Sequence, residues 1–269
     1  GVPSIPPGMV VRPESLPEPA AMDFEPPQPY TTTLPNGVKL FILENHELPL
    51  VNISVLIGNG SRVETVAQKG TAVYTAEIMR RGGSVNLQGD ALDDTLDFLG
   101  ANLSVRMGEE AATANLNVLK EHLDTGLSIF ADVLMNPAFP VDKIEEQKRI
   151  NRGGIQRRDD DPYQIGRRKF RQIVYGTDNP WAQQMEIEDI NRITRDELVA
   201  FHKTWFRPNI TMMAISGDVN TDEIVAKLRA EFADWESGDI PDIVLPPVSA
   251  GREPGVYIYP KDVSQAAIR

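Results

Sequence analysis

The side chains from which this chain could build a reactive centre are three histidines, 39 carboxylates and no cysteine at all. The histidines stand at His46, His122 and His202, so no two share a helix turn. A helical zinc site needs two of them about four residues apart, and that pairing is absent. A lone histidine reads as a structural or solvated side chain. Without thiols, disulfides, thiolate zinc sites and cysteine nucleophiles are excluded together. Asp159-Asp160-Asp161 before Pro162 reads as a charged helix end, with a hard-cation site as the alternative. No glycine-rich loop follows a strand at phosphate-binding spacing, and serine–histidine catalysis has no local signature. Tyr163, Trp181 and Trp205 are scattered and read as core or interface side chains. The expectation is therefore no catalytic, metal-binding or cofactor-binding residue and no cofactor.

The elements that would position chemistry are clearer than the chemistry. Gly70 to Gly83 reads as one short helix, with Ala72, Tyr74, Ile78 and Met79 available to the interior. Arg80 and Arg81 sit where a helix C-terminus favours positive charge, and Gly82-Gly83 supplies the stop. Before it, the turn Leu34-Pro35-Asn36-Gly37 introduces two β-rich runs, Val38 to Leu43 and Val51 to Ile57. After it, Leu92, Leu96 and Leu99 mark a helix at i, i+4, i+7. The alternating runs Leu103 to Met107 and Thr113 to Leu119 form a hairpin. Helices follow over 121–135, 141–158, 162–174 and 187–191. The helix over 141–158 carries Gly153-Gly154 in its interior, where each glycine costs about 1 kcal/mol relative to alanine. Thr194 and Glu197 form a capping box for a helix to Trp205. Ile210 to Ser216 is a buried strand, and Thr221 to Phe232 is the last strong helix.

Composition bounds the rest. At 269 residues, 41% hydrophobic and 25% charged, the chain has an ordinary globular make-up. No apolar run approaches the roughly 20 residues that span a bilayer. A net charge of −12 argues against nucleic acid or anionic lipid as the main partner. Residues 1–30 form a proline-rich arm or linker, with nine of the 21 prolines in the first 29 positions. The main domain is expected over 31–237, an interdomain linker over 238–255, and the start of a truncated second domain over 256–269, with Val256 to Tyr259 strand-like. The segregation of strands and helices argues for α+β rather than β-α-β alternation.

The order of several short motifs resembles the pitrilysin/insulinase family of zinc peptidases, which includes the mitochondrial processing peptidase. The motifs are Leu34-Pro-Asn-Gly-Val38, Gly60-Ser-Arg-Val-Glu64, Leu99-Gly-Ala-Asn-Leu-Ser104, Val133-Leu-Met-Asn-Pro137, Phe201 to Asn209, and Gly217-Asp-Val219. The resemblance runs from Leu34 to about Phe232. It implies a largely antiparallel sheet with helices mainly on one face, a processing-peptidase-like domain. Active relatives carry His-x-x-Glu-His on the helix that here spans Gly70 to Gly83, with a further glutamate ligand from a later helix. Matching that segment puts Val73 at the first histidine, Ala76 at the general base and Glu77 at the second histidine, with the later ligand at or beside Gly154. The implied function is a non-catalytic subunit or half of a two-part zinc peptidase, forming chamber wall and substrate contacts. Its implied partner is an active zinc-peptidase subunit or a second copy, with peptide as a possible substrate. Alternatives are a stand-alone peptide-binding or structural module, with strand addition at Leu103 to Met107, and, last, an active metallopeptidase. The proline-rich start looks like a stalk after a removed export signal, which favours a periplasmic or otherwise extracytoplasmic setting.

Overall fold

The computed structural model describes residues 26–177, 179–248 and 255–260. Its strands are β1 (Tyr30–Thr33), β2 (Lys39–Glu44), β3 (Leu50–Gly58), β4 (Asn102–Met107), β5 (Ala111–Leu119) and β6 (Thr211–Gly217). The helices are α1 (Thr71–Gly82), α2 (Gly89–Phe98), α3 (Leu123–Met135), α4 (Val141–Arg157), α5 (Pro162–Tyr175), α6 (Ile187–Arg192), α7 (Arg195–Trp205) and α8 (Thr221–Glu231).

The strands form one sheet in the order β1-β2-β6-β3-β5-β4, antiparallel except where β2 pairs with β6. Its register aligns buried side chains in rows. Leu40, Met213, Val55, Ala114 and Val105 form one row, and Ile42, Ile215, Ile53, Leu116 and Leu103 the next. The intervening positions of β3, Asn52, Ser54 and Leu56, face solvent. Period-two alternation thus gives the sheet one covered and one open face. Fully burying each large aliphatic side chain of the covered face is worth about 1.5–3 kcal/mol. That face receives α1, α3 and α8, and α1 in turn packs against β4, α7 and α4.

The result is the expected α+β fold with a largely antiparallel sheet. The predicted helices all form, most within a residue or two of the expected ends. The capping box is present: Thr194 N donates to Glu197 Oε2 at 2.7 Å, and Glu197 N donates to Thr194 Oγ1 at 3.4 Å. Residues 120–122 form a 3-10 turn rather than the first turn of α3. Strand β1 was not anticipated; its Tyr-Thr-Thr-Thr run has no hydrophobic period because it lies exposed at the sheet edge. Val256 to Tyr259, expected as a strand, carries no regular secondary structure and is exposed. Residues 1–25 of the arm and much of 249–269 lie outside the described residues. Among the described residues no helix is long and apolar enough to cross a membrane.

Candidate functional site

Helix α1 is held at both ends by backbone geometry that only certain residues supply. Gly70, its N-cap, has φ 94°, and Gly83, its C-cap, has φ 70°. A Cβ on Gly83 would lie 2.3 Å from the Leu87 carbonyl oxygen, so glycine is required there. The free N–H groups of the first turn are met by Glu64. Its Oε2 accepts from Gly70 N at 3.1 Å and its Oε1 accepts from Ala72 N. Burial pushes the Glu64 carboxyl up to about 7, against the pull of those two N–H groups and of Arg192. Ala72, Tyr74, Ala76, Ile78 and Met79 are fully buried, which covers all four side chains assigned to the interior from the sequence.

The remaining face of α1 carries the positions of interest. Val73 and Glu77 are half-buried, whereas Ala76 is fully buried. Opposite them stand Gln147 and Asn151 of α4, linked by Gln147 Nε2 donating to Asn151 Oδ1 at 3.1 Å. Arg81 closes the row, donating to Gln147 Oε1 and, at 2.9 Å, to Glu146 Oε1. Burial raises the Glu77 carboxyl, with Asn151 and Arg81 opposing. Burial likewise pushes the Tyr74 phenol up to about 12, with Asn151 again the nearest offset. Both the Tyr74 hydroxyl and Glu77 Oε2 are buried without a hydrogen-bond partner.

Asn151 is the α4 residue whose side chain meets the Tyr74–Glu77 edge. Gly154 is exposed, and a Cβ there would touch nothing within 4 Å. The resemblance places the later ligand at or beside Gly154, which lies three residues beyond Asn151 and so on the same face of α4. A zinc ion does not fit this donor set. It consists of one carboxylate and two carboxamides, whereas a zinc site is built from histidine, cysteine and carboxylate donors. Among the described residues no group of three or more histidine, cysteine, aspartate or glutamate side chains is placed to hold a metal.

The other sequence candidates separate. His202 is buried, its Nε2–H donating to the Leu134 carbonyl at 2.8 Å, and burial holds it down to about 4 as a neutral core side chain. His46 lies at the surface, its Nδ1 2.6 Å from Asp218 Oδ1, and that bond raises its pKa. His122 is half-buried beside Glu121, 3.9 Å away. The three do not converge. The aspartate run is a helix end as expected: Asp161 caps α5 by accepting from Tyr163 N at 2.9 Å, and Asp159 pairs with Arg168. A cleft of about 660 Å³ lies between the loop after β3, α7 and the stretch 241–246, walled by Phe201, Trp205 and Pro241 with Arg62 at its edge. Its lining includes Glu64 but none of Val73, Ala76 or Glu77.

Comparison with known proteins follows the same geometry. A family model described as "Insulinase (Peptidase family M16)" matches residues 40–179, and one described as "Peptidase M16 inactive domain" matches 192–269. The chain is 27% identical over 203 residues to an uncharacterized zinc protease of Mycobacterium leprae, covering 75% of this chain and 45% of that protein. Among solved structures it is similar to a peptidase M16 inactive domain from Pseudomonas fluorescens, with TM-score 0.75, 24% identity, and coverage of 82% and 54%. It is also similar to the first half of the periplasmic protease PqqL from Escherichia coli, with TM-score 0.73, 16% identity, and coverage of 83% and 50%. These structural likenesses show the fold alone. The chain spans about half the length of the relatives it matches.

Proposed function

Because the chain belongs to the insulinase family of peptidases (peptidase family M16), we propose that it is the non-catalytic half or subunit of a two-part zinc peptidase. The observation that carries this reading is the chemistry of α1 and its neighbours. Its scaffold is complete, capped at both ends and packed on the sheet, yet Val73, Ala76 and Glu77 leave one half-buried carboxylate where a zinc site needs three donors and a base. The match of residues 192–269 to an inactive-domain model supports the same reading. On this reading, the ligand motif of active relatives has been lost.

The role left to such a half is shape: chamber wall and substrate contacts for an active partner. The open face of the sheet and the outer edge of β4 are the surfaces available to an extended peptide. Residues 31–237 then form the peptidase-like domain, 238–255 the linker, and 256–269 the entry to a second domain. An extracytoplasmic setting is part of the proposal, in line with the periplasmic protease whose fold it shares. The test is reconstitution. The chain is mixed with an insulinase-family protein of the same organism that carries His-x-x-Glu-His, and cleavage of a peptide library is measured. Cleavage should need both proteins and should survive Glu77→Gln in this chain. Zinc at one equivalent in the purified chain alone, with chelator-sensitive proteolysis, would overturn the proposal.

A further inference from the structure

Helix α5 faces the wrong way for a helix that only supports its own domain. Of its fourteen residues only Ile165 is buried. The positions Tyr163, Arg167, Phe170 and Val174, at i, i+4, i+7 and i+11, form one stripe turned to solvent. Tyr163 is 66% exposed and Phe170 50%, far more than a core-facing stripe allows. Around the stripe the helix is basic, with Arg167, Arg168, Lys169 and Arg171 in sequence. Arg168 and Arg171 are tied to Asp159 and Glu109, whereas Arg167 makes no hydrogen bond or ion pair among the described residues. An apolar stripe carrying a free cation calls for an occupant that is apolar and acidic.

Helix α2 has that chemistry. Its buried side is Gly89, Leu92 and Leu96, and its outer side carries Asp90, Asp93, Asp94 and Asp97. Phe98, at its end, is 84% exposed. Asp90 and Asp93 are engaged by Lys143 and Arg80, but Asp94 and Asp97 have no partner among the described residues. The two helices present opposite charge and matching aromatic exposure.

We propose that α5 is a self-association surface whose occupant is α2 of a second copy of this chain. Such a contact joins two different patches, so it propagates from copy to copy instead of closing as a symmetric pair. One helix–helix contact is small beside the 1,200–2,000 Å² of a stable interface, so association should be weak, roughly micromolar or weaker, and should decline with salt. The proposal does not depend on the peptidase reading.

The test is sedimentation equilibrium of the 269-residue chain with two charge-reversal variants, Arg167→Glu and Asp94→Arg. Both positions are exposed, and circular dichroism checks that each variant folds. The wild type should associate with increasing concentration, and each variant alone should do so at least about tenfold more weakly. A mixture of the two should recover association, because each variant retains the patch that the other has lost and the two reversed charges are themselves opposite. A wild type that stays monomeric, association unmoved by either variant, or a mixture no stronger than its components would overturn the proposal. So would a monomeric wild type that binds phosphatidylglycerol vesicles through α5, which would assign the stripe to a membrane.

Discussion

Glu64 sets two physical effects against each other, and its replacement decides between them. A carboxylate at a helix N-terminus that accepts two backbone N–H bonds is favoured in its charged form. Burial favours the neutral form, and in this structure it wins, with the carboxyl pushed up to about 7 from 4.5. Asp189 adds to the rise, and Arg192 opposes it. Because the folded value is the higher one, the folded state holds a proton that the unfolded state has released. The contribution to stability is therefore whole below about pH 4.5 and is lost as pH rises through about 7. A rise of that size corresponds to about 3 kcal/mol. The carboxamide of Glu64→Gln keeps an acceptor for the helix end and cannot ionise, so its stability should lack this slope. Urea denaturation of both proteins at several pH values measures the difference. Near pH 4.5 the two should agree within about 1 kcal/mol, and above pH 7 the variant should be the more stable by up to about 3 kcal/mol. The reasoning is refuted if the variant instead loses ground as pH rises, since the helix end would then have depressed the carboxyl.

Four further outcomes follow from α1 and its surroundings. Tyr74→Phe removes a buried hydroxyl that has no partner, so thermal unfolding should show a neutral or stabilising change of up to about 1–2 kcal/mol. Gly154→Ala places a methyl group in open space within a helix and should stabilise by about 0.5–1 kcal/mol. Gly83→Ala, with its positive φ and 2.3 Å approach to Leu87, should be among the most damaging substitutions by the same measurement. Finally, Val73→His with Glu77→His and Asn151→Glu should create zinc binding detectable by titration against a chromogenic chelator.

The fold was legible wherever burial imposed a period. Val51, Ile53, Val55 and Ile57 alternate because one face of β3 meets helices and the other meets water. Leu92 and Leu96 recur because α2 lays one stripe on the core. The edge strand β1 escaped because Tyr30 to Thr33 bury almost nothing and so leave no pattern. The identity of Asn151 as the residue facing Glu77 also escaped. Counting along the chain locates a helix, but which turn looks inward depends on packing against α1, which a linear spacing does not contain. Glu64 stood within the Gly60-Ser-Arg-Val-Glu64 motif, yet its role at the end of α1 requires the loop after β3 to fold back, and only the tertiary structure supplies that. The absence of paired histidines, by contrast, was readable at once, because a missing donor needs no geometry.

On the proposed reading, helix α1 also explains how such a domain keeps its fold without a metal site. The side chains that fasten it, Ala72, Tyr74, Ile78 and Met79, are fully buried, while Val73 and Glu77 lie on a half-exposed edge. Substitution on that edge leaves the core rows of the sheet untouched. Position 76 is different, since Ala76 is fully buried. A glutamate there, with no metal-bound water or cation beside it, would be an uncompensated buried charge costing several kcal/mol or would be forced neutral. On the proposed reading, once the ligands at 73 and 77 are gone, a small apolar residue at 76 is therefore stabilising in its own right. Stability then selects against the return of the base even where function is indifferent. Glu77 and Tyr74, each with a buried polar atom unpartnered, mark the places where that adjustment is incomplete.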